Sequence, residues 1–441
     1  MGHALVLWAA LAVLSFSMPA RAETLEEAVS QTLATNPDVM IDVSRRMSVE
    51  QARKQAVGGF LPKLDLAYGR GHQYSDNATT TATYGGPIGQ LRYDRSLTLT
   101  QMLFDGLATQ SEVERNNARM ESATHRTAAT SEQISLRAIE AYLEVLRNQE
   151  IIGLTQDNLA VHQRTYEQIK LRASSGVGRK ADQDQIEARL ALARSNLTAA
   201  EANLKVAEIN YRLIVGTRPG MLSQPKPPDP KLIPETPESA IPVALVNSRI
   251  IKSARADVEA ALAQQQGARA PLMPRLDLEL TTSKNSMLSA VDATNDISHS
   301  AMLRLRYNLF KGGSDRARIA ETGYLVREAE EVARRTERQL EQSVRLSWNA
   351  YNSARERMPF LTKHAESSQL TREAYSKQFS LGQRTLLDLL DTENEAFTAS
   401  SNLLNGRYVE LFSRYRVLAD MSILLDAIGV DHRDEAKLGE H

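Results

Sequence analysis

The chain has 441 residues with 53 basic against 54 acidic side chains, so it lacks the basic footprint of a nucleic-acid binder. Aromatic residues make up 5% and charged residues 24%, which argues against a large aromatic-rich core and for long helices built on Ala, Leu, Val and Ile. The absence of cysteine excludes disulfides, thiolate metal sites, a cysteine nucleophile and a lipidated N-terminal cysteine.

At the N-terminus, the apolar run Ala4 to Phe16 has the length of a secretory leader, and Ala20-Arg21-Ala22 offers small residues for cleavage before Glu23. The alternative is a short buried helix. Residues 1–22 are read as a signal peptide, and no later apolar stretch approaches the ~20 residues of a membrane-spanning helix. The mature chain is therefore expected in the periplasm, outside the cell, or in the outer membrane by way of β-strands.

A helix is expected from Leu25 to Val57, followed by an alternating segment in which Leu64, Leu66 and Tyr68 are interleaved with Asp65, Ala67 and Gly69. After a polar loop, Ser75 to Gln90, alternation resumes: Leu91, Tyr93, Leu97, Leu99 and Leu103 share one parity. A helical hairpin comes next. Its first arm runs from about Leu107 to Ala173, ~100 Å at 1.5 Å per residue, and its second arm carries Leu190, Leu197, Leu204 and Tyr211 at seven-residue spacing. Alanines in the companion row, Ala193, Ala200 and Ala207, permit close approach of a neighbouring helix.

The same design then repeats. Leu61-Pro62-Lys63-Leu64 matches Met273-Pro274-Arg275-Leu276, and Leu103-Phe104-Asp105-Gly106 matches Leu309-Phe310-Lys311-Gly312. In one unbroken register Tyr142 falls on Trp348, Gly176 on Gly382 and Asp182 on Asp388. The chain is a tandem duplication: residues 23–218 form the first repeat, 219–238 a proline-rich linker, 239–429 the second repeat, and 430–441 a polar tail. Eight of the fifteen prolines lie between Pro219 and Pro242, where a helix cannot continue.

In the second repeat a helix is expected from Ser239 to Ala270. Two alternating runs follow, Leu276 to Leu280 and Ala301 to Leu309, joined by a polar loop, Lys284 to Ser298. The second hairpin begins with an arm from Asp315 to Phe379, and Leu390, Phe397, Leu404, Leu411 and Leu418 mark its return. Gly153 and Pro359 occupy equivalent positions, so both long arms are expected to bend there. With its flanking residues each alternating run is about long enough to cross a membrane as a tilted strand, although any one of them alone reads rather as an ordinary amphipathic hairpin. Four strands cannot close a barrel, and open edges are not tolerated in lipid; three copies would supply twelve strands.

Four features together resemble the TolC family of outer-membrane factors over essentially the whole mature chain. They are Thr24-Leu25-Glu26-Glu27-Ala28 with Asn36-Pro37; the doubled strand markers; Gly176-Val177-Gly178-Arg179-Lys180-Ala181-Asp182 at the first hairpin tip; and Phe379-Ser380-Leu381-Gly382-Gln383-Arg384-Thr385-Leu386-Leu387-Asp388-Leu389-Leu390-Asp391 at the second. The resemblance implies a mainly α fold with a small β part. Its homotrimer would join a twelve-stranded β-barrel in outer-membrane lipid to a twelve-helix tunnel across the periplasm.

The function implied is the exit duct of a tripartite export machine, with a periplasmic adaptor (membrane fusion protein) and an inner-membrane ABC exporter or proton-driven pump as partners. The Gly-Val-Gly-Arg-Lys tip and the ending Leu424 to Val430 look more like members serving type I protein secretion than drug-efflux members. The resemblance also assigns residues. Asp388 and Asp391 line the pore constriction, Asp182 and Arg384 form the gate latch, and Gly176, Val177, Gly178, Leu381, Gly382 and Gln383 are adaptor-contact tips. At Phe379 and Ala181, where other members can hydrogen-bond, this chain cannot, which implies a weaker gate. The alternative, compatible with the constriction role, is that Asp388 and Asp391 are N-terminal helix carboxylates favoured by the helix dipole.

Catalysis is not expected, nor a cofactor or metal: His72, His125, His162, His299 and His364 are scattered without ligand spacing, and no phosphate loop or nucleophile elbow appears. A soluble periplasmic coiled coil or an adaptor would also use long heptad helices, but an adaptor would show one hairpin flanked by small β domains rather than a duplicated one.

Overall fold

The capping box at Thr24, whose hydroxyl accepts from the Glu27 amide while Glu27 reaches back to the Thr24 amide, starts the first helix, α1 (Leu25–Thr35). The computed structural model describes residues 22–288 and 293–437, so the expected leader, apart from Ala22, lies outside the described residues. The single helix expected from Leu25 to Val57 is two helices. Asn36 leaves the helical region and Pro37 opens α2 (Pro37–Val57), because proline fits a first turn, where its missing N–H has no partner to lose.

Strand β1 (Lys63–Ser75) is joined to β2 (Ile88–Phe104) through a short helix, α3 (Ala78–Tyr84), within the segment expected to be a loop. The first hairpin pairs α4 (Ala108–Ser174) with α5 (Lys180–Val215). After the linker, α6 (Pro237–Asn247) and α7 (Arg249–Gly267) replace the single expected helix, divided at Ser248, whose hydroxyl caps α7. Strands β3 (Arg275–Leu288) and β4 (Ala293–Arg306) lead to α8 (Ser314–Ser380) and α9 (Leu386–Asp420), and α10 (Leu424–Ile428) follows. Both long arms, α4 and α8, have 67 residues, as a duplication requires, and helix continues through Gly153 and Pro359. No helix among the described residues is long and apolar enough to cross a membrane.

Backbone contacts divide the chain into two units, and each draws on both repeats. One comprises residues up to 37, 132–241 and 344–431; the other comprises 38–131, 242–343 and 432 onwards. The second unit holds a four-stranded antiparallel sheet in the order β1-β2-β3-β4, with β1 and β4 as open edges. β3 and β4 extend into the segment expected to be the polar loop Lys284–Ser298, because the ladder continues after the leucines stop. Serine pairs such as Ser283 with Ser298, 2.8 Å, hold the register there. β4 ends at Arg306, short of the run expected to reach Leu309.

In the first unit the linker is fastened along its length by ring donors. The Tyr142 hydroxyl lies 2.8 Å from the Glu23 carbonyl and 2.6 Å from that of Ser223. Trp348, its repeat equivalent, donates its indole N–H to the Pro234 carbonyl at 3.0 Å. Tyr415 donates to Lys226, and Tyr211 to the Glu23 carboxylate. These rings sit at helix positions where an aromatic body is buried and its polar end meets a backbone group that needs a partner.

Candidate functional site: the hairpin tips

Both tips turn on a glycine in the left-handed region, Gly176 and Gly382, each with φ +75°. In both, the amides of the glycine and of the residue after it fold back onto the helix end: Gly176 and Val177 donate to the carbonyls of Ala173 and Arg172, and Gly382 and Gln383 to those of Phe379 and Gln378. This closure satisfies the last carbonyls of the incoming helix, and only glycine takes that backbone conformation without strain. At Gly178 a Cβ would come within 2.8 Å of the Ala173 amide nitrogen, so the reversal is too tight for a side chain. At the turns themselves, Val177 is 85% and Leu381 72% exposed.

Asp182 and Asp388 occupy the same position, third in their helices, but in different local chemistry. Thr385 caps α9: its amide and hydroxyl bond to the Asp388 carboxylate at 3.2 and 2.8 Å. These hydrogen bonds, side-chain first, with the nearby Arg384 charge, hold the Asp388 carboxyl below its ordinary range. The corresponding cap of α5 is Arg179, which has no acceptor to offer the helix amides. Asp182 therefore makes no side-chain bond among the described residues and is left available.

The expected pairing of Arg384 with Asp182 is not formed within the chain. The Arg384 guanidinium instead stacks 4.2 Å from the Tyr375 ring centroid and donates to the Gln378 side chain at 3.0 Å. Asp391 has a partner the sequence did not indicate. Arg189 of α5 reaches its carboxylate at 3.4 Å, linking the second hairpin to the first. Of the two carboxylates expected at the constriction, Asp388 serves a helix cap and Asp391 a cross-hairpin ion pair.

Phe379, where a weaker gate is expected, is a buried ring. Phe379 is 7% exposed and packs with Ile169, Ile186, Leu386, Leu389 and Leu390, one apolar cluster drawing on both hairpins just inside the tips. Arg172 lies over its ring at 5.3 Å. What the position lacks in hydrogen bonding it supplies by burial. Beside the cluster, a cavity of about 800 Å³ between α4, α8 and α9 is lined by Arg164, Arg372 and Glu393 among others. Glu393 is buried 3.8 Å from Arg372, and burial raises its pKa against the pull of Arg372 and Arg164.

Comparison with known proteins places this architecture. The chain is 22% identical over 431 residues to the outer membrane protein TolC of Escherichia coli, covering 94% of this chain and 85% of that protein. It is 24% identical over 387 residues to the alkaline protease secretion protein AprF of Pseudomonas aeruginosa, covering 85% and 79%. Its fold matches the Campylobacter jejuni CmeC outer membrane channel with a TM-score of 0.76 at 14% identity, covering 91% and 86% of the two chains. The signature of the family described as outer membrane efflux protein matches residues 28–217 and 240–411, one span in each repeat and neither in the linker. The chain thus belongs to the outer membrane efflux protein family, as a TolC-type outer-membrane factor whose relatives are channels rather than enzymes.

Proposed function

We propose that this protein is the exit duct of a type I secretion machine, passing protein substrates from an inner-membrane ABC exporter and its periplasmic adaptor to the cell exterior. The observation that carries the duct is the open-edged sheet. Four antiparallel strands have the leucines of their regular ladders on one face and cannot satisfy their own edges in lipid, so a closed barrel of three copies and twelve strands is the arrangement that would shelter them. The 67-residue arms, with their return helices α5 and α9, continue the duct as a twelve-helix periplasmic tunnel. Protein rather than small-molecule cargo is favoured by the likeness to a protease secretion protein and by the Gly176 to Lys180 tip.

In this reading Val177, Gly178, Leu381 and Gln383, with the two turning glycines, meet the adaptor, and Asp388 and Asp391 line the constriction. The latch forms between neighbouring copies: the uncapped Asp182 of one receives Arg384 of the next when Arg384 leaves Tyr375. Deletion of the gene tests the cargo. Loss of a secreted protein from the medium with unchanged drug susceptibility is the expected result. Drug hypersensitivity with intact protein secretion would replace this reading with a small-molecule efflux duct.

A further inference from the structure

We infer that the leucine-bearing face of the sheet holds, at its loop-ward end, a site for an outer-leaflet lipid whose head group carries more than one phosphate. The inference rests on the membrane orientation proposed above.

Up to the bulge between Met102 and Phe104, strand register assigns each side chain to a face. Lys63 pairs with Thr100, Leu91 with Leu288 and Arg275 with Arg306, so even residues of β1 and β3 share a face with odd residues of β2 and β4. All five carboxylates of the four strands, Asp65, Asp94, Asp277, Glu279 and Asp296, fall on the opposite face. There arginines neutralise three of them: Arg92 pairs with Asp94, Arg304 with Glu279, and Arg275 and Arg306 share Asp277. The leucine face has no carboxylate, yet it carries Arg70, Arg95 and Lys284. None of the three has an ion pair among the described residues, and all are exposed.

These cations are neighbours. Arg95 lies directly across the ladder from Lys284, and Arg70 is across from Tyr93, two residues along from Arg95. Like charges opposite one another destabilise a sheet unless an anion lies between them. Both guanidiniums are already positioned, Arg70 5.4 Å from the Tyr93 ring centroid and Arg95 5.8 Å from that of Tyr68. Stacked guanidiniums are weakly hydrated and present their N–H groups for phosphate.

Height along the strand identifies the occupant. From Leu276 to Lys284 is eight residues, about 26 Å along the strand, or about 20 Å across a bilayer at ~40° tilt. Nine leucines of this face, among them Leu66, Leu97, Leu280 and Leu303, lie helix-ward of the cations, and Leu91 and Leu288 lie beyond, so the cations fall near the far border of an apolar band about 25 Å tall. A head group there meets three positive charges while its acyl chains lie along Leu66, Leu97 and Leu280. One phosphodiester leaves cations unbalanced; two phosphates do not.

The test uses the full trimer in phosphatidylcholine nanodiscs, alone or with bisphosphorylated lipid A, phosphatidylglycerol, or inorganic phosphate, reading retained lipid by native mass spectrometry. The wild type should retain lipid A in preference to phosphatidylglycerol and ignore free phosphate. Neutralising all three cations (Arg70→Gln, Arg95→Gln, Lys284→Gln) should weaken lipid A retention by on the order of 100-fold, about fivefold per charge. Arg70→Lys with Arg95→Lys should keep most of it. Should the triple variant not assemble, the single variants Arg95→Gln and Lys284→Gln carry the same test. No preference in the wild type, equal retention of phosphatidylglycerol, or undiminished retention in the neutralised variants overturns the site. Orientation is checked separately in this cysteine-free chain: Ala82→Cys should react with an impermeant maleimide on intact cells. A labelled cysteine without lipid preference removes only the site, whereas an unlabelled one removes the membrane reading beneath it.

Discussion

Truncating Phe379 is the sharpest probe of how the tips are held together. The ring is 7% exposed in a cluster fed by α4, α5, α8 and α9, so Phe379→Ala removes most of its burial and leaves a cavity that rigid helices cannot fill. Such truncations cost about 3–5 kcal/mol in a closed core; beside an exposed turn the lower end applies, about 3 kcal/mol per protomer. If the cluster exists only when the two hairpins lie together, that loss shifts each protomer's closed-to-open balance by roughly 150-fold. Single-channel recording of purified trimers in planar bilayers should then show a higher open conductance or a longer open time. Phe379→Leu, which retains much of the apolar volume, should fall between. A lower melting temperature with wild-type conductance would refute the reasoning, since the cluster would then support the fold without holding the tips.

Burial, with the charges of Arg249 and Lys252, pushes the His125 pKa down to about 4, while in the unfolded chain it titrates near 6.5. The unfolded state therefore binds the proton first, and stability should fall as pH drops from about 6.5 to about 4, by roughly 3 kcal/mol in all. His125→Phe should flatten that window in thermal melts; an unchanged slope assigns the acid sensitivity elsewhere. Tyr142→Phe deletes the bonds to Glu23 and Ser223 and should destabilise by about 1–3 kcal/mol, with protease cutting first in the linker near Ser223. Asp388→Ala with Asp391→Ala should lower cation selectivity, and Arg189→Gln, by releasing Asp391, should raise it. Reversal potentials unmoved by all three substitutions would place the constriction elsewhere.

Much of this was readable in the residues because duplication lets each half verify the other. The tip glycines, equal arms and proline-rich linker all leave local marks. The break at Ser248 did not stand out, since the residues around it carry no proline and the apolar pattern runs on. The upper parts of β3 and β4 read as loop because serine, threonine and asparagine replace leucine there, although cross-strand hydroxyl pairs keep the ladder intact. The Arg189–Asp391 pair joins residues 202 positions apart, and no spacing rule reaches that far. The burial of Phe379 was hidden for another reason: its cluster draws on four helices from two distant parts of the chain, so no local spacing announces it.

The open edges of β1 and β4 also bear on inheritance. If a barrel closes only when three sheets meet, one copy with a spoiled edge is enough to waste two sound ones. In a cell making sound and edge-defective protomers in equal amounts, random assembly would leave about one trimer in eight intact. A proline placed in β4 should therefore act as a dominant lesion, while a defect confined to a tip, which leaves every trimer closed, should be tolerated better alongside the normal allele.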